Sequence, residues 1–452
     1  MKHKRVEIPV VCLLLFMSWL PAIVQAQNSQ SEEPVLYLTL QEAIDRADVQ
    51  NVQVEIAERD IEIARGVYRQ THATFLPQLS IEETGVATND PLQVFGYRLK
   101  QESVTPTDFD PGRLNDPGRF DNFSTRLELR QPLLNVDRFF ERRSVSHNVK
   151  AAREALRGTK AHIRYQVKDV YYRLQLSSQQ RFVLEQTLQT ARENDRQATE
   201  LHDQEMINRA DMLAARVRVL ELESHLSGIE NQIQDIQGEL RYLMDVEQKV
   251  EIVATDSLQR APARSGLSIE SASLQNGTLR AMEHSISAAK ESLKASQWSV
   301  LPSINLFGSY EFNDEIPFGT RGNGYMVGAT LRWELFSGLG RSGKSMESKA
   351  RLRQAKLLHE SERVEQRLEV DQAQRSLKQV EVQLRFAEAA IEQSKEDYRI
   401  RNDRYSEGLE STTDLLSSES SLLQARFQRL EVLYQYNMAK ATLDLLLEPN
   451  SN

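Results

Sequence analysis

Two runs of alternating apolar and polar residues lie between Leu301 and Phe336, separated by a polar turn. A period of two is typical of a β-hairpin with one apolar and one polar face. The apolar positions are Ile304, Leu306, Tyr310 and Phe312 in the first run and Tyr325, Val327, Ala329, Leu331, Trp333 and Leu335 in the second. Each run has about the 9–11 residues that a tilted strand needs to cross a bilayer, and aromatic residues lie toward the run ends. The pattern therefore fits a membrane-spanning sheet, or a soluble hairpin with one face on a core.

Most of the remaining sequence has the periodicity of long helices. Apolar residues keep a spacing of three and four from Leu156 to Leu188, and the same spacing runs without interruption from Val219 to Leu243. Such regularity predicts left-handed coiled-coil packing. The first of these helices extends from about Asp137 to Asp203, which is roughly 100 Å at about 1.5 Å per residue. A turn near Asn208 leads into the second helix.

The first part of the chain combines a helix, two strands and a long connection. Thr39 and Glu42 have the spacing of a capping box, which predicts the start of a helix that ends at Leu76-Pro77. Alternation predicts strands at 78–87 and 122–131. Between them, Asn89 to Asn122 is rich in Pro, Gly, Asp and Asn, which predicts a long surface loop.

The second half of the chain repeats this plan, with strands predicted at 303–312 and 325–335. Matching positions are Leu76-Pro77 with Leu301-Pro302, Leu129-Arg130 with Leu331-Arg332, Asn51 with Asn276, and Asp211 with Asp414. The separation from the strand leucine to the turn aspartate is 82 residues in the first half and 83 in the second. We therefore predict two tandem structural repeats, at residues 27–262 and 263–452.

The N-terminus has the pattern of a secretory signal peptide. A basic start at Lys2–Arg5 precedes an apolar stretch from Ile8 to Val24 and a small-residue cleavage site at Ala26. We expect residues 1–26 to be removed on export, although a retained membrane anchor would begin in a similar way. The single cysteine, Cys12, lies in this segment, so the exported chain would carry neither disulfide nor thiol chemistry.

Composition gives no support for nucleic-acid binding or catalysis. The net charge is −9 and no Lys/Arg-rich run interleaved with aromatic residues occurs, which argues against a nucleic-acid partner. The eight histidines are scattered without metal-ligand spacing, and the glycines of 338–345 lack the spacing of a phosphate-binding loop. Carboxylates are frequent, but none forms an isolated catalytic pair. The sequence therefore predicts no catalytic residue, metal site or cofactor.

Four strands in one chain set a physical requirement. An open sheet edge in hydrocarbon leaves backbone donors and acceptors unpaired at several kcal/mol each, and membrane barrels begin at about eight strands. Several copies must therefore share one barrel. Two copies would supply eight strands and a lumen filled by side chains, whereas three would supply twelve and leave room for a channel. Long helices leaving the same end would continue the barrel as a tube.

These features resemble the TolC-like outer-membrane factors over about Leu36 to Leu447. The residues that carry the resemblance are the two Leu-Pro boundaries, Gln131-Pro132-Leu133-Leu134, Leu335-Phe336-Ser337-Gly338, and the turns ending in Asp211 and Asp414. The resemblance implies a mainly α fold, in which three protomers share a 12-stranded transmembrane β-barrel and a coiled-coil α-barrel.

The same resemblance implies a function. The protein would be a homotrimeric channel in the outer-membrane lipid of a Gram-negative cell, extending into the periplasm. It would passively conduct substrates delivered by an inner-membrane pump and a periplasmic adaptor, in efflux or type I secretion. The alternative is a periplasmic coiled-coil scaffold or adaptor protein, although such a protein has no reason to contain two equal halves.

The resemblance also implies a periplasmic gate at the helix turns. Its residues map onto Tyr405, Gly408, Asp414 and Asp211 of this chain. Three positions depart from the family pattern: Glu410 replaces an arginine, Ser417 an expected acid, and Glu205 a common glycine. We hypothesise that Arg209 pairs with Glu410 and reverses the polarity of the latch. The alternative interpretation, of equal weight, is that these are solvated turn charges. A ring of Asp414 side chains would favour cations, and either Thr413 or Asp414 could also cap the last helix.

Overall fold

The computed structural model describes residues 34–246, 249–261 and 276–447. The expected signal peptide and part of the segment between the two repeats lie outside these residues. In chain order the elements are β1 (Val35–Leu38), α1 (Leu40–Gln50), α2 (Val52–Gln70), β2 (Gln78–Thr88), α3 (Pro91–Lys100), α4 (Pro111–Asn115), β3 (Phe120–Leu134), α5 (Val136–Asp203), α6 (Arg209–Leu243), β4 (Glu251–Ala254), α7 (Gly277–Trp298), β5 (Ser303–Asp314), β6 (Gly322–Arg332), α8 (Gly340–Ser406) and α9 (Thr412–Leu446).

One antiparallel sheet contains the four long strands in the order β2, β3, β5, β6. Along one row of this sheet Leu79 pairs with Leu129, Leu129 with Gly308, and Gly308 with Val327. Because directly opposite residues point to the same face, the apolar positions of all four strands form a single apolar face. Leu79 is 67% exposed and Val327 77% exposed, so nothing within the described chain covers this face.

The bounds of the last strand differ from the sequence prediction. β6 spans residues 322–332, whereas alternation placed the strand at 325–335. At its start Gly322 still pairs with Asn313, and at its end Arg332 pairs with Ser303. The residue before Ser303 is Pro302, which has no N–H to continue the ladder. Trp333 therefore lies beyond the strand although it continues the alternation.

The helices pack side by side in a layer. Close to the sheet the packing order is α2, α5, α7, α8, and farther away it is α6, α5, α9, α8. The helices α5 and α8 have 68 and 67 residues, and each is roughly 100 Å long at about 1.5 Å per residue. None of the helices in the described ranges is both long and apolar enough to cross a bilayer.

The connection between β2 and β3 is folded, and the prediction of a plain loop at 89–122 was wrong. Asp90 caps α3 through the backbone N–H of Gln93, and Asp110 caps α4 through Gly112 and Arg113. In both cases proline follows the cap, where its fixed φ suits the first helical position. Asp90-Pro91 and Asp110-Pro111 are thus helix starts, whereas Asp116 lies at the end of α4.

The first helix is interrupted at Asn51. This residue has φ −65° and ψ 128°, ends α1, and caps α2 by accepting a hydrogen bond from the N–H of Gln53. Its side chain also donates to the carbonyl oxygen of Leu243 at 2.8 Å. Asn276 caps α7 in the same way, through Thr278. The match between the two asparagines therefore reflects equivalent helix starts.

A two-stranded parallel sheet of β1 and β4 was absent from the sequence prediction, which opened the chain with helix. Its strands have four residues each, which is too few for an alternation of apolar and polar residues to be recognised in the sequence. Leu38 and Ile252 from these strands pack with Tyr171 and Leu240 in the largest buried cluster. Tyr171 donates a hydrogen bond to the carbonyl of Leu38 at 2.9 Å. The small sheet therefore fixes the two ends of the first repeat to α5.

Candidate functional site

The turns joining α5 to α6 and α8 to α9 have the same backbone geometry. Glu205 and Gly408 both adopt left-handed φ values, of 59° and 72°. The N–H after each donates back to a helix carbonyl, from Met206 to Leu201 and from Leu409 to Arg404, each at 2.9 Å. This is a Schellman motif, which normally uses glycine at the left-handed position. The first turn places a glutamate there instead, at a cost of roughly 1–2 kcal/mol relative to glycine.

The two predicted gate aspartates occupy equivalent positions at the helix starts. Asn208 accepts a hydrogen bond from the N–H of Asp211 at 3.0 Å, and Ser411 accepts one from the N–H of Asp414 at 3.1 Å. The expectation that Thr413 or Asp414 caps α9 was wrong, because the cap is Ser411. Each carboxylate lies in the first turn of its helix, where the helix dipole stabilises negative charge. The Asp414 side chain is 55% exposed.

Glu410 pairs with two arginines of its own helical hairpin, which is formed by α8 and α9. Its carboxylate oxygens lie 3.2 Å from Nη1 of Arg401 and 2.8 Å from Nε of Arg404, and its side chain is only 13% exposed. Arg401 also lies 3.6 Å from Asp414. The last turns of α8 bring both arginines beneath the turn that carries Glu410. Within one protomer the partner of Glu410 is therefore not Arg209, contrary to the hypothesis.

Tyr405 joins the two turns. It is 1% exposed and packs with Leu201 of α5 and Leu415 of α9. Its hydroxyl lies 3.2 Å from the hydroxyl of Thr412, at the start of α9. A Cβ added to Gly408 would lie 3.1 Å from the methyl carbon of Met206 in the other turn. The tips of the two hairpins therefore contact each other directly.

A buried ionic cluster lies between the helix turns and the sheet, and the sequence analysis did not predict it. Glu419 of α9 is 3% exposed. Its carboxylate accepts hydrogen bonds from Nε of Arg218 on α6 at 3.0 Å and from Asn194 on α5 at 3.2 Å. Burial raises the pKa of Glu419, and Arg218 and Asn194 oppose that rise. The sequence did contain a signal for this cluster. Glu419 occupies a core position in the three–four spacing that includes Leu415 and Leu422.

The fourth long helix reaches the same cluster. Burial raises the pKa of the Tyr398 hydroxyl on α8, while a hydrogen bond with Asn194 lowers it. We call Asn194, Arg218, Tyr398 and Glu419 the four-helix cluster. Beside it lies a groove of about 600 Å³ lined by α5, α8 and α9. Among the described residues, no group of three or more His, Cys, Asp or Glu side chains could hold a metal ion.

Comparison with known proteins assigns the chain to a protein family. A model of the outer membrane efflux protein family matches residues 43–245 and 268–447. The chain belongs to this family. No curated protein matches it.

Several solved structures have a similar fold. CusC, a protein that forms a transmembrane channel, has a TM-score of 0.78 and 19% identity over 97% of this chain and 100% of CusC. The CmeC outer membrane channel of Campylobacter jejuni has a TM-score of 0.77 and 16% identity over 90% of this chain and 85% of CmeC. The MtrE outer membrane channel of Neisseria gonorrhoeae has a TM-score of 0.74 and 17% identity over 90% of this chain and 88% of MtrE.

The resemblance to TolC-like outer-membrane factors is therefore confirmed, together with the mainly helical fold built from two repeats. The protein is an outer-membrane efflux channel of a Gram-negative cell envelope that extends into the periplasm, and it is not an enzyme. The alternative of a periplasmic scaffold was wrong.

Proposed function

We propose that three copies of the chain form one passive conduit. The observation that carries this proposal is that one protomer has two different sides, each continuous from the sheet to the tips. The first side is formed by β2, α2 and α6, and the second by β6 and α8. Each side has an unpaired strand edge in the sheet and exposed apolar residues along its helices. Such a protomer suits a head-to-tail ring, in which the first side of each copy meets the second side of the next.

The exposed apolar residues support this arrangement. On the first side they are Ile56, Ile63 and Val67 of α2 and Leu213, Val217 and Leu220 of α6. On the second side they are Leu357, Val364, Leu368, Val382 and Phe386 of α8. The spacings are mostly three, four or seven residues, as in a coiled-coil seam. Arg142 of α5 contacts Tyr68 of α2, and His359 of α8 contacts Glu283 of α7. Because Ser144 of α5 donates a hydrogen bond to the carbonyl of Ala288 on α7, Ile63 and Leu357 lie at about the same height.

Strand number favours three copies. Each protomer contributes four strands whose end strands, β2 and β6, have one unpaired edge within the described chain. An unpaired edge in lipid costs several kcal/mol for each orphaned group. Three copies give twelve strands with every edge paired, and a lumen wide enough to conduct. The apolar face of the sheet would then contact lipid and the polar face would line the channel.

We further propose that the hairpin tips are the gated periplasmic end, where an adaptor connects the conduit to an inner-membrane pump. The gate would comprise Arg209, Asp211, Tyr405, Gly408, Glu410 and Asp414. The exposed carboxylate of Asp414 and the contacts between the two turns support this placement. Three copies would bring the aspartates around one axis, where they would attract cations.

Disulfide trapping tests the ring. Cys12 is the only natural cysteine and lies in the expected signal peptide, so introduced thiols can be followed cleanly. The double variant I63C/L357C should give covalent trimers on a denaturing gel after oxidation of outer membranes. Each single variant is the control and should remain monomeric. Oxidised I63C/L357C that runs as a monomer, while the protein still fractionates with outer membranes, would refute the head-to-tail ring.

A further inference from the structure

The segment between β2 and β3 is tied to the polar face of the sheet. Nζ of Lys100, the last residue of α3, lies 2.9 Å from one oxygen of Glu311 on β5. The other oxygen of Glu311 lies 2.7 Å from Nη2 of Arg126 on β3. Glu311 thus joins the segment to two strands through charge-assisted hydrogen bonds, which are the stronger kind.

A chain of buried amides makes a second attachment. Gln101 donates to the side chain of Asn122 at 2.9 Å, and Asn122 donates to that of Asn313 at 3.1 Å. All three side chains are buried. Next to them, a Cβ added to Gly322 would lie 1.9 Å from the carbonyl oxygen of Lys100, so the segment contacts the backbone of β6 directly. The segment is therefore packed against three of the four strands.

The segment also has a small core of its own. Val94 is 1% exposed. Asp108 accepts a hydrogen bond from the N–H of Thr105 at 2.8 Å and lies 3.2 Å from Nη1 of Arg98. The guanidinium of Arg98 lies over the ring of Phe120 at the start of β3. These contacts give residues 89–119 a fixed shape instead of that of a free loop.

We propose that residues 89–119 form a fixed lid that narrows the outer opening of the channel and sets the size of what can leave. The proposal rests on the proposed trimer, in which the polar face of each sheet points into the lumen. A segment packed on that face lies inside the outline of the barrel. Three lids then converge on the axis. The shorter β5–β6 connection contributes much less to this narrowing.

Thiol labelling of intact cells tests the lid. Ser309 lies on the polar face of β5, two residues closer to the periplasm than Glu311, or about 7 Å at about 3.4 Å per residue. The variant S309C is treated from outside with a small methanethiosulfonate and with a bulky polyethylene-glycol maleimide. We expect labelling by the small reagent only. Replacing residues 89–119 with an Asn-Gly turn should remove this size discrimination.

A point variant tests the same proposal without the deletion, which could prevent the β2–β3 hairpin from folding. K100M removes one charge-assisted hydrogen bond to Glu311, and we expect it to raise labelling of S309C by the bulky reagent about tenfold. R119Q is the matched control, because Arg119 pairs with Asp121 at the edge of the segment. It should leave labelling unchanged. Equal labelling of S309C by both reagents with the lid intact would overturn the proposal.

Two further outcomes separate this proposal from the proposed channel. A cysteine at the exposed Asp116 of the lid must react with both reagents if the segment faces the cell exterior. If D116C reacts and S309C is unreactive toward the small reagent even without the lid, the polar face does not line a water-filled lumen. The trimeric channel would then be wrong, and the lid with it.

Discussion

Removing Arg218 from the four-helix cluster should loosen the hairpin tips. The substitution R218M leaves the carboxylate of Glu419 buried without its cation. Loss of one partner from a buried ion pair typically costs about 3–5 kcal/mol. The upper end does not apply here, because Asn194 still donates to Glu419 and the carboxyl group can take up a proton. We therefore expect R218M to cost about 3 kcal/mol in the stability of hairpin packing.

The pH dependence gives this prediction a sign. Burial already raises the pKa of Glu419 above its ordinary value of 4.5, and loss of Arg218 would raise it further. A carboxyl group whose folded pKa is raised favours the folded state below its unfolded pKa, and this contribution is lost as the pH rises through the folded pKa. The defect of R218M should therefore be small near pH 4.5 and largest at neutral pH.

The assay combines thermal unfolding in detergent with conductance in planar bilayers, since a loosened tip should conduct more ions. R192M is the matched control, because Arg192 pairs with Glu223 across α5 and α6 at 2.8 Å but on an exposed surface. Exposed pairs contribute about 0–1 kcal/mol. The double variant R218M/E419Q should recover most of the stability, because no buried charge remains. If R218M behaves like R192M at neutral pH, the cluster does not hold the hairpins together.

Three other predictions concern the turns and a cap. E410Q weakens the hydrogen bonds to Arg401 and Arg404, each worth about 1.5–3 kcal/mol to a charged group, and should raise conductance in planar bilayers; unchanged conductance contradicts a latch at this position. G408A should lower the unfolding temperature, because left-handed φ costs about 1–2 kcal/mol, whereas Glu205→Gly should raise it; calorimetry of both variants measures this opposite pair. N51A should cost about 1–2 kcal/mol by removing the cap of α2, detectable as faster hydrogen exchange at its first turn, and equal exchange would argue against a capping role.

The internal repeat explains why several features occur twice. Asn51 and Asn276 start matching helices, and Asp211 and Asp414 start matching return helices. The copies have also diverged, most clearly between Glu205 and Gly408 and in the β2–β3 segment. Divergence at those places leaves the repeated backbone intact, because turns and connections tolerate changes of sequence and length better than the elements they join.

Sequence periodicity by itself determined the long helices and the four long strands of this protein. The three–four spacing located α5 and α6 within a residue or two, since heptad packing requires that spacing along the whole helix. Alternation located the four long strands, because one face of the sheet is apolar and the other polar, although β6 begins and ends three residues earlier than predicted. The matched spacings of the two halves placed both turns and the equivalence of Asp211 with Asp414.

Only the tertiary structure decided which residues meet across the chain. The partners of Glu410 depend on how the last turns of α8 place Arg401 and Arg404, and the four-helix cluster brings together residues from four helices. The fold of residues 89–119 likewise depends on attachment to distant strands. Periodicity is a local property that reports which face of an element is apolar. Pairing of polar groups depends on the rotation and relative height of separate elements, and these are fixed only when the elements pack.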